Sequence, residues 1–422
     1  MTNKLPQGWV ECKMKDVLEF SQGIQVDVNL QQYSKFSDEY IRFLRIVDFT
    51  QKTEPPRYVL NPPTHVIVTD DDISMVRYGA AGFVCTGLNG AIANNLFRII
   101  PKENIFNNRF LYYFLIGDSF QNYIKHKQTG TTMQAISFKI MNEADIVVPP
   151  LNEQKRIVEK IEEEFGKIDE GLEKLKLAQE QIKQYRQSVL KAAFDGKLYK
   201  TTEWDKYAIK EVSTNIQYGY TESASSDRIG PKFLRITDIQ NNSVNWDKVP
   251  YCRISDENKS KYLLKNEDFV FARTGATVGK SYMIQDLHEE AVYASYLIRI
   301  GFKDNIETKF IKYYFQTNEY WAQIADNQVG IGQPNVNGTK LGNLTINLPT
   351  IEEQKQIVKE IEKRFEVTDK AERVITENLE KAEQLKQSIL KKAFEGRLVP
   401  QDPKDEPSSE LLAKIKAERE SK

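Results

Sequence analysis

The sequence predicts an α+β protein: two mixed α/β domains joined by two long helices that pair as an intramolecular antiparallel coiled coil, with a pseudo-twofold internal repeat. Three observations predict it. Residues 153–165 return as 353–365 and residues 187–198 return as 387–398, both at an offset of 200, with 16 of the 25 aligned positions identical by count. Chance would supply roughly one or two, so the chain holds two copies of one unit. Apolar residues then recur at 3-4 spacing through each repeat. Finally, short β-branched and aromatic runs fill the stretches before each repeat.

The helices come first. Positions 158, 161, 165, 168, 172, 175, 179, 182, 186 and 189 hold eight apolar residues of ten, and the same positions plus 200 hold seven. A 3.5-residue period over more than four heptads is a coiled-coil seam rather than a surface stripe. Pro149-Pro150 and Pro349 stop the preceding strands, and Thr350 with Glu353 makes a capping box. Gly196 and Gly396 stand where a helix C-terminal cap is wanted. One such helix of about 40 residues, ~60 Å long, cannot bury its seam alone. Two in one chain can pair, and the globular stretch between them leaves room for an antiparallel return. Pairing with a second copy of the chain is the alternative.

The expected segments are 1–150, a first globular domain; 151–200, the central coiled-coil helix; 201–350, a second globular domain; 351–398, the distal coiled-coil helix; and 399–422, a tail with a short helix. Phe43-Leu44-Arg45-Ile46-Val47, Val66-Ile67-Val68 and Leu96-Phe97-Arg98-Ile99-Ile100 read as strands, and 111–125 reads as one helix. Residues 43–48 echo 233–238, and Tyr113-Phe114 echoes Tyr314-Phe315. Between these anchors identity fades, as in two readers of different targets on one frame.

Composition excludes several classes. A chain of 422 residues exceeds one core. No apolar run approaches the ~18 residues of a membrane span, and no signal peptide is visible, so a soluble, cytoplasmic protein is expected. Cys12, Cys85 and Cys252 are too few and scattered for a disulfide frame or a zinc site, and the three histidines form no metal cluster. Net charge is −1. By count, residues 1–150 carry 15 basic and 15 acidic side chains and 201–350 carry 17 and 18, so a DNA-facing surface would need spatial sorting of charge.

Two motifs are decoys. Gly275-Ala276-Thr277-Val278-Gly279-Lys280-Ser281 is one residue short of a phosphate loop, and Asn61-Pro62-Pro63-Thr64 lacks the aromatic of a base-flipping methyltransferase turn. No catalytic constellation remains, and the chain reads as a non-enzyme. What remains are polar loops at matching places. The first carries Lys125, Lys127, Gln128, Thr131, Thr132 and Gln134; the second carries Gln328, Gln333, Asn335 and Asn337. Arg77 and Arg273-Thr274 stand at strand ends leading into glycine turns. Gln and Asn reach adenine edges, Arg and Lys reach guanine, and Thr serves phosphates or a thymine methyl.

This layout resembles the specificity subunit of type I restriction–modification enzymes over the whole chain. The resemblance rests on the Pro-x-x-x-Glu-Gln start of each coil, on 273–280, which adds Thr277 and Lys280 to the candidates, on the Ala-Phe-x-Gly-x-Leu ends, and on the tail 398–407. Tyr78-Gly79-Ala80-Ala81-Gly82 departs from the family pattern in the first domain. The resemblance implies two target-recognition domains, each reading half of a bipartite, asymmetric double-stranded DNA site, with the coil setting the unread spacer. It implies two modification subunits that bring S-adenosylmethionine to adenine, and restriction subunits that consume ATP with Mg, so this chain itself needs no cofactor or metal. Leu411, Leu412 and Ile415 form a small apolar face expected to dock a partner subunit. A coiled-coil adaptor without DNA binding and a self-contained DNA methyltransferase are the competing readings.

Overall fold

The computed structural model describes residues 5–51, 53–102, 105–127, 135–199, 203–240, 242–326 and 335–413. Two long helices, Leu151–Phe194 and Ile351–Phe394, dominate it. The chain divides into two compact units: residues 1–175 with 377–422, and residues 176–376. The first unit therefore takes the start of the first helix with the end of the second. The second unit takes the reverse, which is the antiparallel arrangement the seam predicts.

The seam explains the pairing. The seam residues Val158, Ile161 and Ile389 are buried in the first unit's core, and Val358, Ile361, Phe365 and Val189 in the second's. The basic seam positions Lys386 and Arg186 are both partnered. Lys386 pairs with Asp169 at 2.6 Å and lies over the Phe165 ring at 5.3 Å. Its repeat partner Arg186 donates to Thr368 and Asp369 and lies over Phe365 at 5.0 Å. The offset of 200 thus survives as geometry.

Each repeat motif ties a globular domain to the helices. The buried Gln154 amide accepts from Asn107 N–H at 2.8 Å and donates to the Ile105 and Pro149 carbonyls at 2.9 Å. Gln354 accepts from Glu307 N–H and donates to Pro349 O, both at 2.9 Å. At the other motif, Gln387 accepts from Asp118 N–H and Gln187 donates to Gln316 O. Thr350 and Glu353 make the expected capping box. Gly196 and Gly396 close the helices at φ 69° and 66°.

The first domain is built on a four-stranded antiparallel sheet ordered Leu18–Gln22, Leu96–Pro101, Ile73–Val76, Val84–Cys85. A second, mixed sheet holds Arg57–Leu60, Tyr40–Leu44, Gly90–Ile92 and Ile67–Val68. The second domain repeats the first sheet as Ser213–Tyr218, Leu297–Phe302, Phe269–Ala272, Ser281–Met283. There the second sheet shrinks to the parallel pair Lys232–Leu234 and Ala291–Tyr293. The 43–48 echo is a structural device: Asp48 accepts from Arg45 N–H at 2.8 Å as Asp238 accepts from Arg235 N–H at 2.8 Å, closing the turn after each strand.

Three expectations need correction. The strand expected over 43–47 ends at Leu44, and Ile46–Thr50 is a short helix. Residues 111–125 are not one helix but parts of two, Asn108–Ile116 and Asp118–Lys127. Gly117 is extended between them, and the Asp118 N–H freed there is taken by Gln387. The Tyr-Phe echo is also misaligned by one. Tyr113 packs on Phe165 and Tyr313 on Phe365, while Phe114 packs on Phe394 and Tyr314 on Phe194.

Candidate nucleic-acid interface

The buried strand Ile73–Val76 delivers Arg77 to the end of the first domain's sheet. Arg77 N–H donates to Asn95 O at 2.8 Å, and Arg77 O accepts from Ile136 N–H at 2.8 Å. The second domain does the same: Phe269–Ala272 delivers Arg273, whose N–H donates to Tyr296 O and whose O accepts from Val336 N–H, both at 3.1 Å. Each arginine is thereby held between a sheet corner and the residue that follows a polar loop.

The glycine turns after these arginines share a backbone despite their different sequences. Gly79 and Gly275 have φ +91° and +78°, and Gly82 and Gly279 have φ +91° and +80°. Gly82 N–H donates to Val76 O and Gly279 N–H to Ala272 O, each at 3.0 Å. A side chain at Gly279 would meet Ile324 Cγ2 at 2.8 Å, so this glycine serves close packing on the helix Asn318–Asp326. The phosphate-loop look of 275–281 thus has a packing cause.

The side chains under the two arginines differ. In the first domain Gln22 Oε1 accepts from Arg77 Nη1 at 2.9 Å, and Gln22 Nε2 donates to Asn94 O. Asn94 Nδ2 donates to Gln25 Oε1 at 3.2 Å, and the Tyr78 hydroxyl lies 3.3 Å from Asn94 Oδ1. In the second domain the Arg273 guanidinium lies over the Tyr218 ring at 5.0 Å, and the Tyr218 hydroxyl accepts from Gly338 N–H at 2.9 Å. Gln22 and Tyr218 hold equivalent places, each at the end of a domain's first sheet strand and just before Gly23 or Gly219.

Comparison with known proteins decides the family. The model of the type I restriction modification DNA specificity domain matches twice, over residues 6–180 and 201–381. The chain belongs to the type I restriction modification DNA specificity family. It is 24% identical to the type I restriction enzyme EcoKI specificity subunit of Escherichia coli (strain K12), over 99% of this chain and 96% of that one. It is 25% identical to the MjaVIII specificity subunit of Methanocaldococcus jannaschii, over 94% of each. Among solved structures, a chain from work on complex assembly and conformational transition of the type I R-M system shares the fold with TM-score 0.71 at 20% identity, covering 93% of this chain and 99% of that one. The HsdS subunit from Thermoanaerobacter tengcongensis gives TM-score 0.50 at 20% identity, over 94% and 99%. The family is one of DNA specificity, not of methyl transfer, so this chain is a non-catalytic recognition component.

In this specificity chain the sequence-derived candidates fall in several places. Arg77, Arg273 and Thr274 share the sheet ends described above, Thr274 through a bridge to Asn335. Lys125 and Lys127 are exposed on the last turn of their helix, Lys280 is exposed, and Thr277 is half-buried in the glycine turn. Asn337 is the N-cap of the helix Gly338–Asn343, its side chain accepting from Lys340 N–H at 2.8 Å. Gln128, Thr131, Thr132, Gln134, Gln328, Gln333 and Ile415 lie outside the described residues. Leu411 and Leu412 pack onto the first unit's own core. Gln22, Tyr218, Asn94 and Tyr296 went unnoticed in the sequence because nothing local marks them. No helix among the described residues is long and apolar enough to cross a membrane, and none of their His, Cys, Asp and Glu side chains form a group of three or more suited to a metal.

Proposed function

We propose that each domain reads one half of an asymmetric, bipartite double-stranded DNA site, and that the paired helices set the unread spacer and hold two modification subunits. Methyl transfer from S-adenosylmethionine to adenine, and the ATP- and Mg-dependent work of restriction subunits, then belong to those other chains, in the cytoplasm. The carrying observation is the duplicated sheet end: one backbone frame presents an arginine twice, with different side chains beneath it. Arg77, Lys125, Lys127 and the loop through Gln128, Thr131, Thr132 and Gln134 serve the first half-site. Arg273, Thr274, Thr277, Lys280 and the loop through Gln328, Gln333, Asn335 and Asn337 serve the second. Relatives carrying the name of specificity subunits over the same full length support the reading.

Selection from randomised duplex DNA by the full chain with its modification subunits tests it. Two short sequence blocks separated by a constant unselected gap are expected. Assembly with the subunits but no selected sequence would leave the chain an adaptor. Methyl transfer by this chain alone would make it an enzyme.

A further inference from the structure

Resting on that reading, we infer that Gln22 and Tyr218 are positioning residues that fix the guanidinium groups of Arg77 and Arg273 for reading one guanine in each half-site, and that the two braces work by different chemistry. An unbraced arginine spreads over many rotamers, and ordering it on binding costs affinity. A brace places the fork in advance. Arg77 is held at its edge: one terminal nitrogen donates to Gln22 Oε1 at 2.9 Å, and Gln22 is itself tied down by donating to the Asn94 carbonyl. Arg273 is held at its face, 5.0 Å above the Tyr218 ring. Its Nε is buried without a hydrogen-bond partner among the described residues, which leaves the ring as the feature that stabilises the cation there.

The two modes leave different donors for DNA. A face brace consumes no N–H, so Arg273 keeps its terminal donors in one plane, the geometry that meets guanine O6 and N7 together. An edge brace consumes one donor, so Arg77 has fewer left for a base. Tyr218 also couples its arginine to the chain beyond the polar loop, because its hydroxyl accepts from Gly338 N–H at 2.9 Å. The backbone on both sides is matched between domains, with Gly23 N–H donating to Leu96 O at 3.0 Å and Gly219 N–H to Leu297 O at 3.1 Å. The brace is therefore a changeable part within a constant frame, and it stands outside the loops where sequence variety would first be sought.

The test uses the full chain assembled with its modification subunits, and base-by-base preference measured by selection from randomised duplexes. Tyr218→Leu removes the ring, whereas Tyr218→Phe keeps it and loses only the hydroxyl. Gln22→Leu removes both the acceptor for Arg77 and the N–H that ties Gln22 to the Asn94 carbonyl. We expect Tyr218→Leu to lower discrimination roughly tenfold at one guanine of one half-site, with Tyr218→Phe retaining most of it. Gln22→Leu should act on one guanine of the other half-site, and in an Arg77→Ala background it should have no further effect at that base. In an Arg273→Ala background, Tyr218→Leu should have no further effect at that base. Loss spread evenly over all positions, equal loss in Tyr218→Phe and Tyr218→Leu, or unchanged preference in both leucine variants would overturn the assignment. A wild-type assembly without any sequence preference would instead overturn the functional reading beneath it.

Discussion

Asp72 and Asp268 stand at equivalent points, each just before the strand that leads to Arg77 or Arg273 and each facing the arginine of the neighbouring strand, yet they respond oppositely to pH. Burial alone would raise the Asp72 carboxyl, but the Thr69 N–H and Arg98, 2.8 Å away, hold it below the usual carboxylate range. Asp268 is more deeply buried and Arg299 is 3.8 Å off, so burial prevails and its carboxyl is raised. A depressed folded-state value means that the ionised form favours folding. The Asp72 contribution is therefore present above the unfolded value of about 4 and is lost as pH falls through the folded value. The Asp268 contribution has the opposite sign: it is present at low pH and lost as pH rises through its folded value. Asp72→Asn should cost the first domain about 1–2 kcal/mol at pH 7 and less at pH 3, below the unfolded value. Asp268→Asn should cost the second domain less at pH 7. Amide hydrogen exchange, resolved by domain, measures both. Equal costs at the two pH values for Asp72→Asn would show that its ion pair does not stabilise the domain.

The helices are where the sequence speaks most clearly, because a 3.5-residue period over 44 residues has one physical reading. The repeated Gln, Phe and Gly positions add the joints, since each of Gln154, Gln354, Phe394 and Phe194 makes the same contact in its own unit. The ruler proposal gains a quantitative test from this regularity. Deleting one heptad from each helix at facing positions keeps the seam in phase and shortens the pair by ~10 Å, about three base pairs at ~3.4 Å each. The selected gap should shorten by that amount while both sequence blocks stay as they were, and an unchanged gap would show that the helices do not set it. Other features were not legible. The break at Gly117 depends on Gln387, 269 positions from the residue it receives, Asp118. The Gln22–Arg77 brace joins residues 55 apart on different strands. Local pattern carries no trace of such pairings. The same holds for the tail, where three apolar residues at helical spacing gave no sign that two of them close on the chain's own core.

At the scale of the whole molecule, duplication separates what must stay constant from what can vary. The helix motifs repeat with 16 of 25 aligned positions identical, and the first-sheet frame repeats in hydrogen bonds, while the second sheet has four strands in one domain and a parallel pair in the other. Near-balanced charge in both globular stretches is consistent with that division. Little affinity can come from net charge, so discrimination falls on placed hydrogen-bonding groups held by rigid strands. A reader built this way should be exchangeable as a block, because its joints to the helices, Asn107 with Gln154 and Glu307 with Gln354, use backbone N–H groups that any domain of this frame supplies. Replacing residues 1–150 by the corresponding domain of another specificity chain should therefore change one sequence block and leave the other block and the gap intact, read by methylome sequencing in cells that also carry the modification subunits. If both blocks changed together, the two domains would be reading jointly. If only the gap moved, spacing would be set within the domains rather than by the paired helices.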